Sequence, residues 1–264
     1  MNVNDLKYMS HNDKISVAMN ADTSEEILAL LAKDKEACLF VAMNKNTSAS
    51  ILDELSHNED SDVRVAVSQN ENTSEKTLES LSYDEDWHVR CFVATNKNIG
   101  VETLNRLVND EHYLVRSYLT GNVNLTKELC NILVHDSNSN VREIFAFQKN
   151  APVEVLEILA RDKDVNVRAA VAQNKSASRQ LLDYLASDDN PKVIYYVAKN
   201  KNTSADTLHN IAHIGDKAIK MMIVSNPNVS LKTLNLLSQD SQKNVSKMAE
   251  KKLKKQHKSN TAER

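Results

Sequence analysis

Glycine and proline are scarce, three of each in 264 residues. Hairpins and flexible linkers draw heavily on both, so their scarcity argues for helices joined by short polar turns. Cysteine is equally sparse. Cys38, Cys91 and Cys130 are odd in number, widely scattered and without a CxxC spacing, which excludes a disulfide framework and suits a reduced, intracellular protein. No apolar run approaches the ~20 residues of a membrane span. The opening "MNVNDLKYMSHNDK" lacks the charged and apolar regions of a signal peptide, so a cytoplasmic location is expected. No Ser/His/Asp set, paired-carboxylate signature or phosphate-cradling glycine loop is present, and Gly100, Gly121 and Gly215 stand alone. Those gaps speak against an enzyme, and no cofactor is expected.

What the chain does have is a period. Counting 26 residues from Val63 reaches Val89, Val115, Val141, Val167, Val193, Ile219 and Val245 in one register. Backward, it reaches Ala37 and then, after a two-residue deletion, Asp13. This predicts an all-α solenoid in one repeat domain over 1–256. Its repeats are 13–36, 37–62, 63–88, 89–114, 115–140, 141–166, 167–192, 193–218 and 219–244. Helical caps are expected at 2–12 and 245–256, and a basic disordered tail at 257–264. Neither helix of a repeat is long enough to stand alone in water, because helices below ~12–15 residues repay nucleation poorly. Each pair must therefore be held by the pairs before and after it.

With the first residue of a repeat numbered zero, the columns take on roles. Position eleven is Ser24, Ser48, Ser74, Gly100, Thr126, Pro152, Ser178, Ser204 or Ser230, a column of residues that start helices. Behind it, leucines such as Leu28 and Leu31, or Leu78 and Leu81, form a one-sided stripe that reads as core. On the other helix, positions zero, three, four and seven share a face at ~100° per residue. Position five is small (Ala18, Ala42, Ser68, Ala94), which allows close approach of a neighbouring helix. Position seven is Asn in every repeat but one, where Gln148 stands. An Asn just past a helix reads as a structural cap in a left-handed backbone.

The motif VRxxVAxNxxTSxxxLxxLAxD, as in "VRAAVAQNKSASRQLLDYLASD" over 167–188, resembles the leucine-rich repeat variant, a short relative of HEAT and armadillo units. The resemblance covers about 13–244. It implies a right-handed α-helical superhelix without a sheet, its repeats pairing α with α or α with 3-10 helices. It implies no activity, since such arrays serve as scaffolds and binding surfaces.

Position one carries Arg64, Arg90, Arg116, Arg142 and Arg168, and six residues before the last four stand Asp84, Asp110, Asp136 and Asp162. Equal numbers at fixed spacing read as a structural Asp–Arg ladder. The rival reading is a basic row for phosphates or acidic peptides. His209 and His213 have an i, i+4 spacing that could hold a metal, but no third ligand is evident, and they read as solvated surface. Residues 243–264 hold eight Lys or Arg against two Asp or Glu, leaving −9 on the rest of a chain of net charge −3. The single tryptophan, Trp87, and that acidic body give little support to a glycosylase-like use of the fold.

The expected function is a non-enzymatic scaffold gripping a protein or peptide along the inner surface. Positions two and six of the first helix are the least repetitive columns, and several of their residues are apolar although they face outward. From them come the candidate contacts Met19, Leu39, Met43, Glu143, Phe147, Tyr195 and Met221, with Tyr118 beside them. A second copy of the chain is the other way such side chains would be covered. The alternative function is a nucleic-acid-binding HEAT-like protein using the Arg ladder and the basic C-terminal tail. No metal and no membrane partner are expected.

Overall fold

A computed structural model describes residues 3–262, with side chains described over 6–256. Among the described residues, one 3-10 helix, Val3–Tyr8, is followed by nineteen α-helices, and there is no strand. The odd-numbered helices are α1 His11–Met19, α3 Cys38–Met43, α5 Ser61–Gln69, α7 Trp87–Thr95, α9 Tyr113–Leu119, α11 Ser139–Phe147, α13 Val165–Gln173, α15 Pro191–Lys199, α17 Lys217–Ser225 and α19 Lys243–Ala262. The even-numbered ones are α2 Glu25–Leu31, α4 Ala49–Leu55, α6 Glu75–Leu81, α8 Val101–Leu107, α10 Lys127–Val134, α12 Val153–Leu159, α14 Arg179–Leu185, α16 Ala205–Ile214 and α18 Leu231–Ser238. The fold is an α-solenoid of two-helix repeats. Two compact units partition the chain, Met1–Leu133 and Val134–Arg264, a division the uniform register of 26 does not announce.

In unit 1, α1, α3, α5, α7 and α9 stack in chain order, each also packing on a neighbouring even helix. In unit 2, α11, α13, α15, α17 and α19 do the same. Position zero explains the stacking: Val63, Val89 and Val115 in unit 1, and Val167, Val193 and Val245 in unit 2, are all at most 1% exposed. Ala42, Ser68, Ala146 and Ala172 at position five are fully buried, and side chains this small bring consecutive odd helices together. Burying the leucine of each even helix is worth about 1.5–3 kcal/mol, and Leu28, Leu52, Leu78 and Leu182 are completely enclosed. The starts of the even helices follow the expected column. Oγ of Ser74, Ser178, Ser204 and Ser230 accepts a bond from the amide three residues on, whereas Ser24 and Ser48 make no such bond.

The asparagine column is structural, but not through a left-handed cap. No described residue has positive φ, and Asn70, Asn96 and Asn174 are extended. Their amides reach back to the preceding repeat instead. Asn70 Nδ2 donates to the carbonyls of Ala42 and Asn44, and Asn96 Nδ2 to those of Ser68 and Asn70. In unit 2, Asn200 and Asn226 repeat the arrangement. With Oδ1 accepting the amide two residues on, the side chain satisfies groups in two repeats at once, which an αL turn would not do. A second column that the sequence reading passed over, Asn72, Asn98, Asn124, Asn202 and Asn228, bonds carbonyls one repeat back in the same way.

The ends also depart from expectation. The cap at 2–12 is the 3-10 helix followed by the start of α1, with residue 2 outside the described residues. The tail expected to be disordered over 257–264 continues α19 through Ala262, and 263–264 lie outside the described residues. Lysine and glutamine are good helix formers, and α19 meets no Pro or Gly between Lys243 and Ala262 to stop it.

Candidate partner-binding face

In each unit the odd helices leave a face that the stacking does not cover, and position six dominates it. Met19 and Met43 are each 62% exposed and Phe147 is 46% exposed. Position two is different. Leu39, Glu143, Tyr195 and Met221 are half-buried, and Cys91, Ser117 and Ala169 are buried. The expectation that both columns point outward is corrected for position two, which is half-buried or buried throughout these repeats. Position three, expected in the core, lies partly on the open face when its residue is large. Tyr118 is exposed, and Phe40, Phe92, Tyr196 and Met222 are half-buried. Aromatic rings meet there edge to face, Phe92 with Tyr118 at 6.0 Å and Tyr195 with Tyr196 at 5.3 Å between centroids. Those four half-buried residues were missed; their signal was a position-three column as uneven as position six.

The open face is furrowed, and the furrow recurs at the same repeat positions. Between α3 and α5, a groove of about 610 Å3 is lined by Met43, Lys45, Ala66, Gln69 and Glu71, with the capping Asn70 and Asn72 at its base. Between α13 and α15, a groove of about 460 Å3 takes Gln173, Lys175, Tyr196, Lys199 and Lys201 from equivalent positions, over Asn200 and Asn202. Between α17 and α19, a third of about 600 Å3 is lined by Ser225, Met248, Lys251 and Lys254, with Lys252 in the place of the capping asparagine. Lys252 Nζ donates to the carbonyls of Val224 and Asn226, 2.7 Å each, and burial holds its pKa below the ordinary lysine value. Asparagine bonds set the floor of the first two grooves and Lys252 that of the third; positions three and six, with eight or nine, give each its own lining.

The Asp–Arg ladder exists, with different partners from those expected. Four of the arginines reach the carboxylate twenty residues ahead: Arg64 meets Asp84, Arg90 Asp110, Arg142 Asp162 and Arg168 Asp188. To the aspartate six residues behind it gives only Nη1, and only to the backbone carbonyl, as Arg90 does to Asp84, Arg116 to Asp110, Arg142 to Asp136 and Arg168 to Asp162. Helix geometry explains the shift. A residue at the start of an odd helix lies over the turn that ends the same repeat's even helix, where the aspartate carboxylate also accepts the amide two residues on. The ladder extends further than expected, because Lys14–Asp34 and Lys220–Asp240 occupy the same two positions at 2.7 Å. These guanidiniums are not displayed to a phosphate: Arg90 and Arg142 are 7% and 6% exposed, and both are bonded to carboxylates.

The remaining candidates are placed simply. All three cysteines are buried, and burial pushes the Cys91 thiol up to about 12, which suits small hydrophobes rather than nucleophiles. The His209 and His213 rings pack edge to face at 5.1 Å. His209 Nδ1 lies 3.1 Å from Thr233 Oγ1, and burial together with Lys232 holds its pKa low. Among the described residues, no three His, Cys, Asp or Glu side chains converge, and no helix is long and apolar enough to cross a membrane.

No family model matches the chain and no curated protein does. Solved structures do. A leucine-rich repeat variant with a novel repetitive structural motif matches at a TM-score of 0.52 and 20% identity, over 89% of this chain and 84% of that one. The E. coli protein YibA matches at 0.45 and 17%, over 84% and 97%. An archaeal HEAT-like repeats protein from Thermococcus onnurineus matches at 0.28 and 11%, over 92% and 98%. At such identity the first of these speaks for architecture alone: this chain has a fold like that of the leucine-rich repeat variant.

Proposed function

We propose that this chain is a non-enzymatic scaffold that binds a protein or peptide along the open faces that the odd-numbered helices present in each unit. The observation that carries the reading is the set of large apolar side chains left in water there, Met19, Met43, Tyr118 and Phe147, each more than 40% exposed. Nothing in the stacking requires them, since positions zero, four and five already close the core. Large apolar groups at the centre of an exposed face are costly to leave uncovered and mark interfaces, and aromatics supply binding hot spots. Asparagine bonds tie the floor beneath them to the preceding repeat, which favours binding with little loss of order. The arginines that a nucleic-acid reading would use are spent on aspartates.

The test is affinity capture from a cell lysate with mass-spectrometric identification, comparing the wild type with Met43→Ala and Phe147→Ala. A specific partner should be lost from at least one variant while both melt within about 2 °C of the wild type, as exposed positions do. A partner held equally by both variants, or variants that unfold, would contradict the assignment of the face.

A further inference from the structure

We infer that the grooves of unit 2 take an extended acidic peptide, an inference that rests on the scaffold reading above and gives its ligand a chemistry. Charge is divided between the two halves of the chain. Residues 1–133 hold 12 Lys or Arg against 22 Asp or Glu, and residues 134–264 hold 21 against 14, so −10 and +7 make up the net −3. The excess in unit 2 is placed where the furrow runs. At positions three, six, eight and nine of its odd-helix segments there is no carboxylate, while Lys149, Lys175, Lys199, Lys201, Lys251 and Lys254 stand there. Three of them line the 460 Å3 groove between α13 and α15, and two line the 600 Å3 groove between α17 and α19.

The lysines are not committed elsewhere. Among the described residues Lys175, Lys199 and Lys201 form no ion pair, and the neighbour of Lys199 is the ring of Tyr196, its Nζ 6.0 Å from the centroid. Unit 1 offers the contrast. The same positions there hold Lys45 beside Glu71, and Glu71 is paired with Lys97 at 2.7 Å, so its groove has no comparable surplus. A row of cations facing open grooves without counter-charges holds a positive potential that a complementary anion relieves.

Spacing selects the kind of anion. Packed helices lie about 8–10 Å apart, and an extended peptide advances about 3.3 Å per residue. Lysines one repeat apart therefore match a carboxylate at about every third residue, with the residues between free to meet Phe147 and Met222. A nucleic-acid strand carries a phosphate about every 3.4 Å along a duplex, so two in three would go unmatched. Single strands also want open aromatic faces on which to stack bases, and the Tyr196 ring is already in T-shaped contact with Tyr195 and has Lys199 over it.

The experiment is fluorescence anisotropy with a fluorescein-labelled twelve-residue peptide bearing glutamate at every third position and threonine or valine between. Full-length protein is compared with the groove variant Lys175→Glu/Lys199→Glu/Lys201→Glu. A second triple variant, Lys163→Glu/Lys192→Glu/Lys217→Glu, has the same net charge but lies off the grooves. The groove variant should lose more than tenfold in affinity and the control less than threefold, with melting temperatures unchanged. If the reversal disturbs folding, glutamine at the three groove positions should still cost at least fivefold. Absence of binding to wild type, equal loss in both triples, or a thymidine dodecamer bound more tightly and lost with the same lysines would each overturn the inference. A lysate partner released by Phe147→Ala but indifferent to the groove lysines would overturn it too, and would leave the scaffold reading standing.

Discussion

Arg90 and Asp110 form a two-point ion pair, Nε to Oδ2 at 2.7 Å and Nη2 to Oδ1 at 3.0 Å, while Nη1 of the same arginine holds the Asp84 carbonyl at 2.8 Å. One guanidinium thus joins the turns that end two successive even helices. Removing one partner strands a buried charge, at a cost of about 3 kcal/mol or more. In urea titrations, Asp110→Ala and Arg90→Met should each lower the unfolding free energy by that order, and Arg90→Met/Asp110→Leu should cost much less than their sum. Single effects that add within about 0.5 kcal/mol would mean the two residues do not act as a pair.

The ladder should also set the acid limit of stability. Burial raises the pKa of Asp110, Asp162 and Asp188, but the arginine bonds and backbone amides outweigh it, so each carboxyl lies below its ordinary value. For Asp34 and Asp240 the lysine bond is the largest cause of a shift in the same direction. A depressed carboxylate contributes stability above its unfolded pKa of about 3.9 and loses it as pH falls through the folded value. Urea midpoints should therefore be flat from pH 7 to about 5 and fall below about 4. A fall already complete by pH 5 would assign the loss to other groups.

The asparagine column makes a sharper demand. Asn96 Nδ2 donates to the Ser68 and Asn70 carbonyls at 2.8 and 3.1 Å and is 7% exposed. Asn96→Ala leaves two buried acceptors unpaired, at about 1–3 kcal/mol. Asn96→Asp should be worse at neutral pH, because an acceptor-only carboxylate would face both carbonyls. Denaturation of the two variants at pH 7 decides it; an aspartate variant as stable as wild type would place the amide elsewhere.

How much of this was legible depended on whether a residue's partner lies within its own repeat's pattern. The period of 26, the buried leucines and the helix starts repeat column by column, so one strand of sequence displays them nine times over. Partners were harder. Asp84 is six residues from Arg90 and twenty from Arg64, and spacing alone does not choose between them. The choice was written in the exceptions: where position one is Cys38 its counterpart twenty residues on is Asn58, and where it is Ile194 the counterpart is Ile214. The open face was half legible. Position six stands out because its side chains are exposed, but Tyr195 and Met221 at position two are half-buried although their column is as uneven. The grooves were not legible, since each is lined from two repeats.

The last helix gives a prediction that separates capping from mere length. Val245 and Ala249 are fully buried, and Lys252 supplies to Val224 and Asn226 the bonds that an asparagine supplies in earlier repeats. Deleting 257–264 removes none of these and should leave the melting temperature unchanged. Deleting 243–264 uncovers the apolar flank of α17 and α18, and terminal repeats stripped of their cap aggregate. Lys252→Met isolates the polar part of that role. The methylene stem is retained but both carbonyls lose their donor, which should cost about 1–3 kcal/mol. Lys254→Met, an exposed neighbour on the same helix, should be silent. Light scattering and melting curves on the four proteins make the comparison, and a Lys252→Met protein indistinguishable from Lys254→Met would show that α19 caps by apolar cover alone.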